Sequence, residues 1–252
     1  MTGGISPGGA RYVLGVDLGT SECKVCLVTE AGEAVRVARA GYVTHAPRPL
    51  WSEQDPRDWA PAVAAATRRV LVESGVAARS VVGMALTSAA HIGVLLDANG
   101  HPVRRAMLWN DQRSSREAAE LECEHGEEIL RQTYQAVSTT WTLPHLCWVR
   151  RNDPDAWART QRVALSKDFL AEWLVGAAVT DPATAVSSQL YDATAGRWSP
   201  ELCGMAGVTP AMLPPVRPAR EQIGGLTAEA GERLGLLPGT PVVVGTLDSA
   251  TE

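Results

Sequence analysis

Asp17-Leu18-Gly19-Thr20-Ser21, followed by Lys24, is the first stretch of the chain whose residue types could do chemistry. A short apolar run ends on an aspartate, and a turn of glycine and small hydroxyl residues follows. Such a turn aims backbone N–H groups and hydroxyls at one point, which can cradle a phosphate. The Asp17 carboxylate can hold a Mg²⁺ ion through water, and Lys24 can bring a point charge to the phosphates. Gly19, Thr20, Ser21 and Lys24 are thus candidate phosphate-binding residues, and Asp17 a candidate metal residue. An ordinary hairpin with a capping aspartate fits the same string. Asn110 and Asp111 lie in Leu108-Trp109-Asn110-Asp111-Gln112-Arg113. Planar polar groups at a strand end can bind vicinal hydroxyls, and Asp111 can equally cap a helix starting near Arg113. His91, in Ala89-Ala90-His91, can donate or accept a hydrogen bond to a hydroxyl, or simply close a strand. Cys23 and Cys26 form a CxxC pair, which invites a metal or redox reading. On a strand, however, an i, i+3 pair points to opposite faces, and two small buried residues in a reducing cytoplasm explain the pair better.

The elements that must carry these residues read as follows. Tyr12 to Val16, Val25 to Thr29 and Val35 to Val43 are strand patterns separated by two tight turns, an antiparallel meander. A helix follows, with Asp55 as N-cap, Pro56 at the first position and Asp58 in the first turn. Trp59, Val63, Ala66 and Val70 repeat at helical spacing, and Gly75 ends the pattern. Val81 to Leu86 is a buried strand. His91 to Leu96 and Ala106 to Trp109 are further strand segments around a turn at Ala98-Asn99-Gly100. Arg113 to His125, Leu143 to Arg151 and Lys167 to Val175 are helical, and Val208 to Pro218 is proline-rich and irregular. Val242 to Gly245 is a last buried strand, leading into Thr246-Leu247-Asp248. This succession is mixed α/β.

Size and charge narrow the field. The chain has 252 residues and 45% hydrophobic content, enough for a substantial core. A net charge of -5 and the lack of any basic run argue against nucleic acid or an anionic membrane as partner. No apolar run reaches the ~18 residues of a membrane span. Residues 1–10, MTGGISPGGA, carry no secretion-signal pattern and read as a disordered tail. A cytoplasmic protein is expected.

Pro49-Leu50-Trp51-Ser52-Glu53-Gln54-Asp55-Pro56 says little chemically; Trp51 reads as a core residue and Glu53 as a solvated charge. As a string it closely resembles the xylulokinase branch of the FGGY family of carbohydrate kinases, and the similarity runs from about Tyr12 to the end of the chain. The spacing of Asp17 and Lys24 resembles the first phosphate motif of the wider superfamily. The resemblance implies a ribonuclease-H-like domain of the actin, Hsp70 and sugar kinase superfamily, with a mixed sheet and flanking helices. It implies His91, Asn110 and Asp111 as sugar ligands and Asp248 as the catalytic base, with ATP and Mg²⁺ as cofactors. It also implies that residues 11–252 are the amino-terminal, sugar-binding domain. The carboxy-terminal ATP-binding domain is then absent and the fragment alone is inactive; a separate carboxy-terminal kinase domain, or a second copy of the chain in a homo-oligomer, is the macromolecular partner expected. Ser166-Lys167-Asp168-Phe169-Leu170, Thr180-Asp181, Ser187, Ser188 and Tyr191-Asp192 match family strings and read as structural, Lys167 and Asp168 pairing or capping locally. The family's usual Gln-Met before the histidine is Ala89-Ala90 here, and Ser249 replaces a frequent Asn after Asp248. D-xylulose, giving D-xylulose 5-phosphate, is the first substrate expected. Gluconate, L-ribulose, fuculose, glycerol and a truncated non-catalytic sugar-binding domain are the alternatives. An Hsp70-like or actin-like switch shares the Asp17 motif but leaves the sugar-site strings unexplained.

Overall fold

A computed structural model of the chain describes residues 10–250. The tail expected over residues 1–10 therefore lies, except for Ala10, outside the described residues. The meander is present: β1 (Tyr12–Leu18), β2 (Glu22–Thr29) and β3 (Ala34–Gly41) pair antiparallel in order. Strand alternation decides the faces. Leu14, Val16, Leu18, Cys23, Val25 and Leu27 are buried in the main core. Gly15, Asp17, Lys24 and Cys26 lie on the opposite, less covered face. The two thiols of the CxxC pair therefore point away from each other, as the period of two requires.

Two short strands, β4 (Thr44–His45) and β5 (Glu53–Gln54), precede α1 (Trp59–Ser74). Asp55 caps as expected, its carboxylate accepting from Arg57 N at 3.0 Å, but the capped segment Pro56–Asp58 is a 3-10 turn and the α-helix begins at Trp59. Trp59, Val63, Ala66 and Val70 all face the core, and Gly75 stops the helix at φ 69°. β6 (Val81–Ser88) then runs parallel to β1. β7 (Gly93–Leu96) starts two residues later than expected, because His91 adopts a left-handed φ of 67° that no strand tolerates.

β8 (Ala106–Met107) leads to α2 (Ser115–Thr133), which runs eight residues past His125. A helical glycine costs only about 1 kcal/mol, and burial of Leu121 and Ile129 carries the helix through Gly126. Next come α3 (Thr142–Asn152), α4 (Pro154–Arg159), β9 (Arg162–Leu165) and α5 (Ser166–Val175). Short pieces follow: α6 (Pro182–Val186), β10 (Tyr191–Asp192), β11 (Arg197–Trp198) and α7 (Pro200–Ala206). The chain returns to the sheet through β12 (Gln222–Gly225), α8 (Ala228–Leu234), β13 (Pro241–Val243) and β14 (Thr246–Leu247). The main sheet has the order β12-β13-β6-β1-β2-β3, and β14 continues alongside β6 beyond β13. One core lies between this sheet and α1, α5 and α8; a second gathers α2, α3, α4 and α7.

Candidate active site

The parallel strands β1, β6 and β14 end together, and their register builds the site. Lys24 stands opposite Asp17, Asp17 opposite Thr87, and Thr87 opposite Thr246. Two strand spacings separate Asp17 from Thr246, about 10 Å in all. Asp248 follows two residues on, in a 3-10 turn (Asp248–Ala250). Ligands of open α/β sheets collect at such carboxyl ends of strands.

On one side of this row lies the β1–β2 turn. Its carbonyls are taken up by side chains behind it. Tyr42 Oη donates to Gly19 O, and Gln54 Nε2 donates to Thr20 O at 2.6 Å. Trp109 Nε1 donates to Thr20 Oγ1 at 2.9 Å. Gln54 is itself held by Trp59 Nε1 at 3.0 Å, while Ser21 is exposed at the tip. A cleft of about 260 Å³ opens beside Asp17, Lys24, Cys26, Ala85 and Thr87. Lys24 Nζ sits 3.4 Å from Asp17 Oδ2. The other oxygen, Asp17 Oδ1, is buried with no hydrogen-bond partner, and so is Thr87 Oγ1. An orphaned carboxylate oxygen beside a lysine fits a water-shelled Mg²⁺ with phosphates, since that ion needs only one or two protein carboxylates.

On the other side lies a larger cleft of about 760 Å³, lined by His91, Gln135, Trp141, Ser187, Leu247 and Ser249 among others. His91 Nδ1 lies 2.8 Å from Ser187 O, and a carbonyl only accepts, so Nδ1 carries the proton. Burial holds this imidazole below its usual pKa, against the smaller opposing pull of the Asp248 charge. A neutral ring protonated at Nδ1 leaves Nε2 as an acceptor for a hydroxyl. The Trp141 ring meets His91 edge-on at 4.3 Å. Gln135 contributes an amide oxygen that is buried and unpartnered. Sequence reading missed Gln135 and Trp141, which come from the α2–α3 connection and carry no local motif.

The Trp109-Asn110-Asp111 string is placed differently from the expectation. Asp111 is fully buried and does not line the His91 cleft. Its carboxylate accepts from Ser52 N at 2.6 Å and from Arg113 N, Nε and Nη2 at 2.9, 2.9 and 2.7 Å. Those bonds consume the acceptor capacity that a sugar would need. Asn110 is exposed and also lies off the cleft lining. Glu53, expected in solvent, is buried and pairs with Arg113 Nη2 at 2.9 Å, and Arg113 stacks over Trp51 at 3.7 Å. The string thus ties β5 to the start of α2, while Trp109 braces the turn.

Across its length this architecture has known relatives. The model of the FGGY family of carbohydrate kinases, N-terminal domain, matches residues 12–251. The chain belongs to the FGGY family. As an FGGY amino-terminal domain it is 32% identical over 239 residues to the xylulose kinase of Lactococcus lactis, covering 95% of this chain and 48% of that protein. The crystal structure of a "xyloylose kinase" from Brucella ovis superposes with a TM-score of 0.88 at 35% identity, covering 95% of this chain and 49% of the other. That of xylulose kinase from Rhodospirillum rubrum superposes with a TM-score of 0.90 at 29% identity, over 95% and 50%. The fold is thus the actin- and Hsp70-like one expected. The FGGY chain spans about half the length of the curated relatives it matches. Among its described residues no helix is long and apolar enough to cross a membrane.

His145 on α3 is buried, and neither ring nitrogen makes a hydrogen bond of good geometry. Burial pushes its pKa down to about 4, outweighing the attraction of Asp111. The folded value lies below the unfolded one, so unfolding takes up a proton as pH falls below about 6.5. Stability is full above that pH and drains away toward pH 4, by roughly 3 kcal/mol from this group. Urea unfolding at pH 7 and pH 4 should therefore show a larger acid loss in the wild type than in His145→Gln. Equal losses in the two proteins would contradict this assignment.

Proposed function

We propose that this chain is the sugar-binding part of an ATP-dependent carbohydrate kinase whose substrate is a ketose, D-xylulose before others. The observation that carries the reading is the strand register. It sets Asp17 and Lys24 beside one cleft, and about 10 Å across the sheet it sets Thr246, two residues before Asp248, at a strand end whose residues Leu247 and Ser249 line the other. His91 Nε2 accepts a bond from one sugar hydroxyl, and Trp141 offers an apolar wall to the ring carbons. Asp248 takes the proton from the reacting hydroxyl. The oxygen attacks the γ-phosphorus, a new P–O bond forms, the bond to the β-phosphate oxygen breaks, and ADP leaves. Gly19, Thr20, Ser21 and Lys24 face the phosphates. Mg²⁺, held through water at Asp17, would neutralise phosphate charge when bound. The adenine pocket falls to a carboxy-terminal half, which the relatives' doubled length supports. Free cysteines at all five positions agree with a cytoplasmic location.

A thermal-shift screen tests the substrate. A ligand at 100-fold its Kd adds about 2.7 kcal/mol, several degrees for a chain of this size. D-xylulose is expected to raise the melting temperature more than gluconate, L-ribulose, fuculose or glycerol. A larger shift with any of those four would replace D-xylulose as the substrate, and no shift with any sugar would count against a sugar site.

A further inference from the structure

Lys167 is one of two lysines in the chain, and its ammonium is entirely buried. A buried ion pair is weak evidence for stability, since apolar residues of the same volume often serve a fold as well. What it touches is therefore more telling than its burial. Lys167 Nζ donates to Asp168 Oδ1 at 3.2 Å and to Val244 O at 3.1 Å, and lies 3.6 Å from Asp181 Oδ1. Asp181 Oδ2 in turn accepts from Thr246 Oγ1 at 2.8 Å. The same carboxylate caps α6 through Ala183 N at 3.1 Å. Val244 and Thr246 flank Gly245, whose left-handed φ of 72° separates β13 from β14. The charged pair thus grips the chain on both sides of the Gly245 bend, shortly before Asp248.

We propose that Lys167 and Asp181 form a positioning clamp, which fixes the Val244–Thr246 bend and thereby sets the position of Asp248, whose chain neighbours Leu247 and Ser249 line the His91 cleft. The clamp rests on the reading of Asp248 as the base, but its mechanical part is independent of that reading. Neither clamp residue lines the His91 cleft. Lys167 is anchored through Asp168, whose other oxygen accepts from Leu165 N at 3.1 Å and so ties the pair to the start of α5. The strand end is then referenced to α5 and α6 together. Phosphoryl transfer punishes a loose base, since a misplacement of about 1 Å can cost ~100-fold in rate.

Thr246→Val tests the clamp with little change of shape, because it deletes only the hydroxyl that Asp181 receives. Lys167→Met is the stronger second variant. Amide hydrogen exchange is read at residues 244–249 and at α1, which lies elsewhere on the sheet. Both variants are expected to speed exchange at 244–249 by about 10-fold or more and to leave α1 unchanged, the pattern of local opening. In a protein joining this chain to an FGGY carboxy-terminal half, kcat should fall about 10-fold in Thr246→Val with KM for the sugar unaltered, as when only transition-state positioning is lost. Unchanged exchange at 244–249, or a loosening shared equally by α1, would overturn the clamp. Local loosening with unchanged kcat would overturn the clamp's part in positioning Asp248, while the base itself is tested separately by Asp248→Asn.

Discussion

Asp248→Asn should lower kcat for sugar phosphorylation about 1,000-fold, within the range of 10²–10⁴ typical of a positioned general base. The protein for this measurement joins the chain to an FGGY carboxy-terminal half, and a coupled ADP-release assay with D-xylulose reads the rate. Asn keeps the size of Asp and an oxygen able to accept the Ser249 N–H that Asp248 Oδ1 holds at 2.7 Å. It cannot take a proton from a hydroxyl. The KM for the sugar should stay within a few-fold, since the proposed sugar contacts are His91 and the cleft walls. By itself the 252-residue chain should release no sugar-dependent ADP. Asp17 and Thr246 lie about 10 Å apart across the sheet, and on the proposed reading closure of a second domain would complete the site and exclude water. An Asn variant within ten-fold of wild type would remove Asp248 from the mechanism, and turnover near one per second by the chain alone, an ordinary enzyme rate, would show the second half to be dispensable.

What could be read from the sequence was mostly what is local. The Asp17–Lys24 turn declares itself because glycine and small hydroxyl residues between two apolar runs specify a hairpin with few alternatives. The stripe Trp59, Val63, Ala66, Val70 and the stop at Gly75 were equally plain, since helical period and a left-handed cap act within one element. The start of that helix was displaced because Asp55 caps a 3-10 turn just as it would an α-helix.

Long-range partners were the hidden part. Asp111 carries the composition of a sugar ligand, yet its carboxylate is spent on Arg113 and on the backbone of Ser52, fifty-nine positions away. Glu53 looked solvated until the fold brought Arg113 to it. Lys167 does pair locally with Asp168, but the contact that matters reaches Val244, seventy-seven positions on. His91 gave no sign of its left-handed backbone, which costs about 1–3 kcal/mol in a residue with a side chain and tends to mark functional sites. None of these follows from periodicity or turn chemistry, because each depends on which elements the sheet order makes neighbours.

Among the described glycines, Gly245→Ala should be the most damaging change, destabilising the chain by more than about 4 kcal/mol. A Cβ at this position would lie 1.8 Å from Leu86 O and 2.7 Å from Leu86 C. Those are backbone atoms of β6, which is held by β1 on one side and by β13 and β14 on the other. A side chain could swing aside; a central strand cannot shift without breaking its ladders. The φ of 72° adds strain that only glycine escapes. The bend is therefore required twice, to let β14 resume pairing with β6 and to bring the Val244 carbonyl to Lys167. Gly15→Ala is the matched control. Gly15 sits on β1 next to β6, and a Cβ there meets nothing within 4 Å. Gly15→Ala should be neutral or stabilise by up to about 1 kcal/mol, since a strand glycine is less stable than alanine by that order. Thermal melts of both variants decide the matter. Gly245→Ala should melt at least ~10 °C below wild type or fail to fold, given about 2–4 °C per kcal/mol for a chain of this length. A Gly245→Ala protein melting within a degree or two of wild type would mean that β14 does not approach β6 as described, and the strand-end placement of Asp248 would fall with it.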